Sequence, residues 1–404
     1  MKKGLFILAG IIMSALAFPQ QFDPPGIDTI PFKKVKVKVG ADFAMQFQAL
    51  NQNGDSLVPL GSGFNLPTAN LNVKALLAKG IEVHLTTYLS SRHHNDTWVK
   101  GGYLLVNDLP FKGADKFMKY LTLKVGDMQL NYGDAHAFYS DNGNIINNPF
   151  VGNLVMQSMT TATAAEIYGH YSDFHVMGAI TTGTLNPSIA SYNSDDSVYS
   201  VNNQLSQLAF YWKAAFDKSF TDDFRLRIAL SGYNSPKNNA GSLYFGDRTG
   251  SRFYLVMLPQ TNNSNDVSIS SNAWTGRWGP GFTYKDNSYM LNLFTKYKGL
   301  ELFGTLESAK GLTASHQDFN YTQYELNTQY YFGDKENFYV GGKINGVDNH
   351  AGQKIFRVEG ALGWYLTSNI IIKAEYINQK YTGFADYGTD AGFNGFMFES
   401  GISF

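Results

Sequence analysis

The chain has 404 residues, of which 44% are hydrophobic, 15% aromatic and 16% charged, with a formal net charge of −1 and no Cys. Its 30 Phe, 25 Tyr and 5 Trp exclude a disordered chain. Its mean hydropathy of −0.22 excludes a bundle of membrane helices, each of which needs about 20 apolar residues in a row. The missing Cys excludes a disulfide scaffold or a thiolate metal centre, and the near-neutral charge gives no reason to expect a nucleic-acid partner.

The N-terminus opens with Lys2-Lys3, an apolar run from Gly4 to Leu16, and the small-x-small sequence Ala15-Leu16-Ala17. This pattern predicts a secretory signal peptide over residues 1–17, cut after Ala17. Its loss leaves 30 basic against 33 acidic residues, a charge of −3. Residues 18–33 carry Pro19, Pro24, Pro25, Gly26 and Pro31 and read as an extended periplasmic lead segment.

From residue 34 the chain alternates apolar and polar positions. Val35, Val37, Val39, Ala41, Phe43, Met45, Phe47 and Ala49 interleave with Lys36, Lys38, Gly40, Asp42, Ala44, Gln46 and Gln48. Period-2 patterning of this kind marks a strand with one apolar and one polar face. It recurs in strands expected near 34–50, 66–78, 80–91, 97–107, 119–130, 160–172, 173–184, 205–217, 222–234, 287–297, 300–310, 320–332, 337–347, 354–366, 369–381 and 393–404. The expected fold class is therefore all-β: a transmembrane antiparallel up-and-down β-barrel of about 16 strands over 34–404. Short periplasmic turns such as Lys298-Gly299 alternate with long outer loops at 131–159, 185–204, 235–286 and 382–392. A bilayer offers no water to an unpaired backbone group, so a sheet can cross it only as a closed barrel. Charges such as Arg225, Glu325 and Lys373 stay off the apolar parity. Lys100 is the exception, because it shares the parity of Trp98, Leu104 and Val106. Aromatics gather at strand ends, as Phe216, Phe220 and Phe224 do, and read as interfacial girdles.

The ending Glu399-Ser400-Gly401-Ile402-Ser403-Phe404 resembles the C-terminal signature by which Gram-negative outer-membrane barrels are recognised for assembly. By strand count, size and that ending, the mature chain resembles an outer-membrane porin, nearest the phosphate-selective porin O/P-like barrels. The passage Lys124-Val125-Gly126-Asp127 followed by Asn131-Tyr132-Gly133-Asp134 is similar to the strand-then-loop passage of that family. The resemblance implies 16 strands, a homotrimer, a loop folded into the lumen, and Phe404 as the assembly signal. It also implies the barrel-assembly machinery, outer-membrane lipid and lipopolysaccharide as partners.

The loop at 131–159 is the candidate constriction. It carries the apolar piece Pro149 to Met156, which an exposed loop has no reason to carry, and offers Asp134, His136, Asp141, Asn142 and Asn144 to the lumen. It contains no Lys or Arg, which argues against phosphate selectivity. On the wall, Arg225, Arg227, Glu325, Lys343, Arg357, Glu359, Lys373 and Glu375 are expected to line the pore as a mixed-sign, weakly selective surface. Gly246 to Arg252 reads as a basic outer loop. The eight His, including His93-His94 beside Asp96, form no metal-ligand spacing, and no H-E-x-x-H or G-x-S-x-G is present. The expectation is a cofactor-free channel for small hydrophilic solutes, not an enzyme. The alternative is a plugged scaffold barrel within an envelope assembly. A transporter of hydrophobic compounds would need a hatch domain before the first strand, and residues 18–33 are too few. Removing Phe404 is expected to lower the amount of barrel at the cell surface, read by surface labelling; normal levels would reject the signal.

Overall fold

A strand that presents apolar side chains on one face and polar ones on the other can satisfy both only between a lipid phase and an aqueous or packed interior. The computed structural model describes residues 20–24, 32–90, 97–138, 145–183, 190–193, 197–201, 208–236, 243–245, 252–260, 267–388 and 390–404. Sixteen strands form the barrel: β1 (Lys36–Asn53), β2 (Thr68–Ala78), β3 (Ile81–Ser90), β4 (Trp98–Val106), β5 (Leu121–Gln129), β6 (Thr161–Tyr171), β7 (Phe174–Thr181), β8 (Ala209–Thr221), β9 (Phe224–Ser235), β10 (Lys285–Tyr297), β11 (Leu300–Leu312), β12 (Asp318–Phe332), β13 (Phe338–Asp348), β14 (Lys354–Thr367), β15 (Ile370–Thr382) and β16 (Gly392–Ser403). Each pairs antiparallel with its sequence neighbours. The sheet closes where β1 meets both β2 and β16, with Asp42 opposite Ser403 and Phe47 opposite Phe398. Phe404 adds two backbone bonds to this seam: its N–H donates to Ala41 O at 3.1 Å, and its carbonyl accepts from Ala41 N at 3.0 Å. The signal peptide, most of the lead segment and the His93-His94 pair lie outside the described residues.

Alternation translates directly into burial. Along β14 exposed and buried residues alternate from Lys354 to Tyr365. The outward set is apolar, as with Phe356, Val358 and Leu362; the inward set includes Arg357 and Glu359. At the short-turn end, outward aromatics stack around the rim. Phe220 lies 5.2 Å from Phe224, Phe332 5.8 Å from Phe338, Phe338 5.7 Å from Trp364 and Tyr120 5.9 Å from Tyr171. Such a belt suits the boundary between hydrocarbon and headgroups.

Lys100 obeys the same rule through a bulge. The β3–β4 register pairs Thr86 with Gly101 and Thr87 with Val99, leaving Lys100 as the extra residue. A bulge re-aims the side chain it inserts. Lys100 is thereby buried and lines the interior cavity instead of facing lipid with Trp98.

Candidate functional site

A sixteen-strand barrel leaves an interior too wide for its own side chains to fill. Here parts of the chain fold into it. Every residue of 145–159 except Asn147 is buried inside the barrel. A loop in this position needs partners for its backbone groups, because water no longer reaches them. The wall supplies them. Val151 N donates to Glu375 Oε2 at 2.7 Å, Val155 N to Asn345 Oδ1 at 2.6 Å, and Met156 N to Gln323 Oε1 at 2.9 Å. The loop carbonyls accept from the opposite kind of group. Lys343 Nζ donates to Gly152 O at 2.7 Å, Lys373 Nζ to Phe150 O at 3.3 Å, and Arg357 Nη1 to Asn153 O. Two tyrosines extend the row, Tyr339 to Pro149 O at 2.8 Å and Tyr365 to Ile146 O at 2.9 Å.

These wall charges also satisfy one another, and strand register arranges it. Lys343 stands opposite Glu359 across β13–β14, with Nζ 2.5 Å from Oε2. Lys373 stands opposite Glu399 across β15–β16 at 2.7 Å. Arg357 Nη1 lies 3.5 Å from Glu359 Oε1, and its Nε donates to Gln379 Oε1. Glu325 accepts from Asn327 at 2.8 Å. Removing one member of such a set would strand a charge at a cost of several kcal/mol. Gly152 allows the close approach: a Cβ there would meet Glu359 Oε1 at 2.0 Å and the Phe253 ring at 2.9 Å.

A second cluster ties down the start of the loop. Arg227 holds Asp134 through two bonds, Nε to Oδ2 at 2.7 Å and Nη2 to Oδ1 at 3.1 Å. Lys213 Nζ reaches Asp134 Oδ1 at 2.9 Å and Asn131 Oδ1 at 2.7 Å. Burial works against the charge on Asp134, but Lys213 and Arg227 hold its carboxyl well below the usual range. Burial, together with Lys213, pushes the neighbouring His136 imidazole down to about 4, so it is neutral at pH 7. Its Nε2 donates to Phe22 O at 3.1 Å.

That contact belongs to a feature absent from the sequence reading. Residues 20–24 of the lead segment sit inside the short-turn mouth. Phe22 is buried against Phe138, Phe294 and Phe303, with the Arg227 guanidinium 4.8 Å from its ring centroid. Asp23 pairs with Arg227 at 3.0 Å, and Arg225 Nη1 donates to Gln20 O at 2.9 Å. Arg225 itself forks onto Asp217 at 2.8 and 2.7 Å.

A second infolded loop was equally unread. Residues 252–260 cross to the β1 wall. Tyr254 N and O bond the Gln48 side chain at 2.9 and 2.7 Å, and Met257 N donates to Gln52 Oε1 at 3.1 Å. Arg252, expected on a basic outer loop, is buried 4.0 Å from Glu399; residues 246–251 lie outside the described set. The run Phe253-Tyr254-Leu255-Val256-Met257 carried the same signal as Pro149 to Met156. The amides Gln48, Gln323 and Asn345 were missed because an uncharged polar side chain on an inward position looks like ordinary lumen lining.

Thus Asp134, His136, Arg225, Arg227, Glu325, Lys343, Arg357, Glu359, Lys373 and Glu375 all face the interior. His136 borders the open cavity; the others, except at the mouth, lie beneath loops. Asp141, Asn142 and Asn144 lie outside the described residues. Open space remains on the opposite wall. A cavity of about 760 Å³ runs between β1–β6 and the loop, from Lys38 and Phe404 at the rim to Asn131 and Tyr168. Lys74, Lys100, Lys124, Asp42, Asp127, Asn70 and Asn72 line it.

No protein-family model matches the chain, and no curated protein matches its sequence. Solved structures do. The chain is similar to the anion-selective porin from Comamonas acidovorans, with 11% identity and a TM-score of 0.51 over 92% of this chain and 100% of that one. It is similar to OprB of Pseudomonas putida, with 13% identity and a TM-score of 0.55 over 92% and 94% of the two chains. A loop-deletion mutant of OmpT, an outer membrane protein of Vibrio cholerae, aligns at 9% identity and a TM-score of 0.50 over 92% and 100%. At these identities the likeness shows the fold alone.

Two outcomes follow. Gly152→Val should drive the loop off the Glu359–Arg357 wall, since overpacking costs about 1–3 kcal/mol; a protease cut within 145–159, absent from the parent, would report it. Arg227→Met leaves Asp134, Asp23 and Asp217 without their shared cation and should cost about 3–5 kcal/mol in denaturant unfolding of the micelle-bound barrel. An unchanged midpoint would show that Lys213 alone suffices.

Proposed function

We propose that the chain is an outer-membrane porin that passes small hydrophilic solutes or ions by diffusion. The observation that carries this reading is the polar cavity between the β1–β6 wall and the loop at 131–159. Polar and charged side chains on that wall replace part of a solute's hydration, while the loop sets the free width. Lysines and aspartates interleave along it, so the surface favours neither sign strongly. A weakly selective channel fits this lining better than a phosphate-selective one, which would need a single-sign ring. In this reading the short turns face the periplasm, the long loops face outward, and the outward apolar band sits in the outer membrane.

The later-strand charges take a different part. Lys343, Arg357, Glu359, Lys373 and Glu375 serve as anchors that hold the loop in place, and so act on flow through the loop rather than by touching solute. Asp134 and Arg227 fix its first turn. Because these carboxylates and cations are committed to loop backbone and to each other, the reading assigns them no catalytic role.

Single-channel recording in planar bilayers tests the proposal. Steady ohmic steps are expected from the purified barrel. A silent membrane, with the barrel inserted, would favour the plugged scaffold. Deleting Asn142 to Val155 should raise the step size; an unchanged step would reject the loop as the constriction.

A further inference from the structure

The short-turn end of the barrel has one connection unlike the rest. Residues 79–80, 172–173, 222–223, 298–299 and 368–369 make two-residue links and 333–337 a five-residue one, whereas 107–120 spans β4 to β5 over fourteen residues and includes a helical turn, Asp115–Met118. This corner does not hang beneath the lumen. Ala114 and Met118 are buried against Val106, Ile81, Leu121 and Leu123. Those four belong to the outward parity: Leu123 pairs with Ile167 and Val106 with Ile81. Ile167 and Val125, on the same face, are about half exposed. The corner is therefore folded back onto the lipid face of the barrel, at the level of the aromatic belt that Tyr120 and Tyr171 share.

What it leaves uncovered is specific. Phe111 and Phe117 are exposed, with ring centroids 6.1 Å apart. Lys112, Lys116 and Lys119 are exposed beside them. Lys79 is cancelled by Asp108 at 2.7 Å, which leaves three lysines against Asp115 alone. Apolar rings flanked by lysines, set at the edge of a hydrocarbon band, match a bilayer interface with negative headgroups. We propose that this corner is an interfacial anchor that gathers anionic phospholipid headgroups at the short-turn rim. The inference rests on the barrel spanning a bilayer. The occupant is lipid rather than protein because the surface is continuous with the aromatic belt and carries the complementary charge.

The test places a reporter at the corner. Phe117→Trp, and separately Phe111→Trp, are introduced into the full barrel and reconstituted in mixed vesicles of phosphatidylcholine and phosphatidylglycerol, one lipid brominated at a time. The signal is the emission gained over the parent barrel. The parent's own lipid-facing tryptophans, Trp98 and Trp364, are quenched if the barrel itself has inserted, so failure to span is seen separately. Brominated phosphatidylglycerol is expected to quench the new Trp more strongly than brominated phosphatidylcholine, with a local enrichment of about fivefold or more. K112Q/K116Q/K119Q should abolish the enrichment while both lipids still quench. Equal quenching by the two lipids in the unmodified corner would overturn the headgroup selection. With the parent tryptophans quenched, no quenching at either reporter would show that the corner is covered by protein, a second copy of the chain included, and would also overturn it.

Discussion

Everything in this molecule follows from the need to pair backbone groups where no water reaches them. In hydrocarbon the need closes the sheet, because an open edge would leave a row of unpaired N–H and C=O groups. The β1–β16 seam meets it down to the last residue, where Phe404 bonds Ala41 in both directions. Closure by sixteen strands creates a wide interior, and the same need then reappears inside. Two loops and residues 20–24 enter that interior. Each brings backbone groups that must find partners on the wall.

The wall meets this demand with a division of labour. Acidic and amide side chains accept from loop N–H groups, as Glu375 does from Val151 and Gln323 from Met156. Cations donate to loop carbonyls, as Lys343 does to Gly152. Buried ions are costly when single, so cross-strand register places a lysine directly opposite a glutamate at Lys343–Glu359 and Lys373–Glu399. Each of these pairs is thus neutral by construction. The β1–β6 wall, which no loop covers fully, keeps the cavity.

The corner at 107–120 and the lead segment show that the two faces of the short-turn end are used differently. Residues 20–24 go inward and put Phe22 among lumen aromatics. The corner goes outward and puts Met118 on the lipid face. In each case one buried apolar anchor fixes the direction, and the charges follow: Asp23 onto Arg227 inside, and three exposed lysines beside Phe111 and Phe117 outside.

Strand phase was readable from residue order because period-2 patterning is local: a side chain's face depends only on its parity within its own strand. All sixteen strands were found this way. Lys100 looked like an error because a bulge changes parity, and a bulge is visible only once the partner register Thr86–Gly101, Thr87–Val99 is known. The apolar segment Pro149 to Met156 could be read as seeking cover, and Phe253 to Met257 carried the same message. What covers them could not be read. Val151 meets Glu375 224 positions away, and Tyr254 meets Gln48 206 positions away. Sequence by itself determined, Lys100 apart, which strand side chains face lipid and which face inward. Only the closed tertiary structure decided which inward residues grip a loop and which border open space, because that depends on what lies across the barrel rather than along the strand.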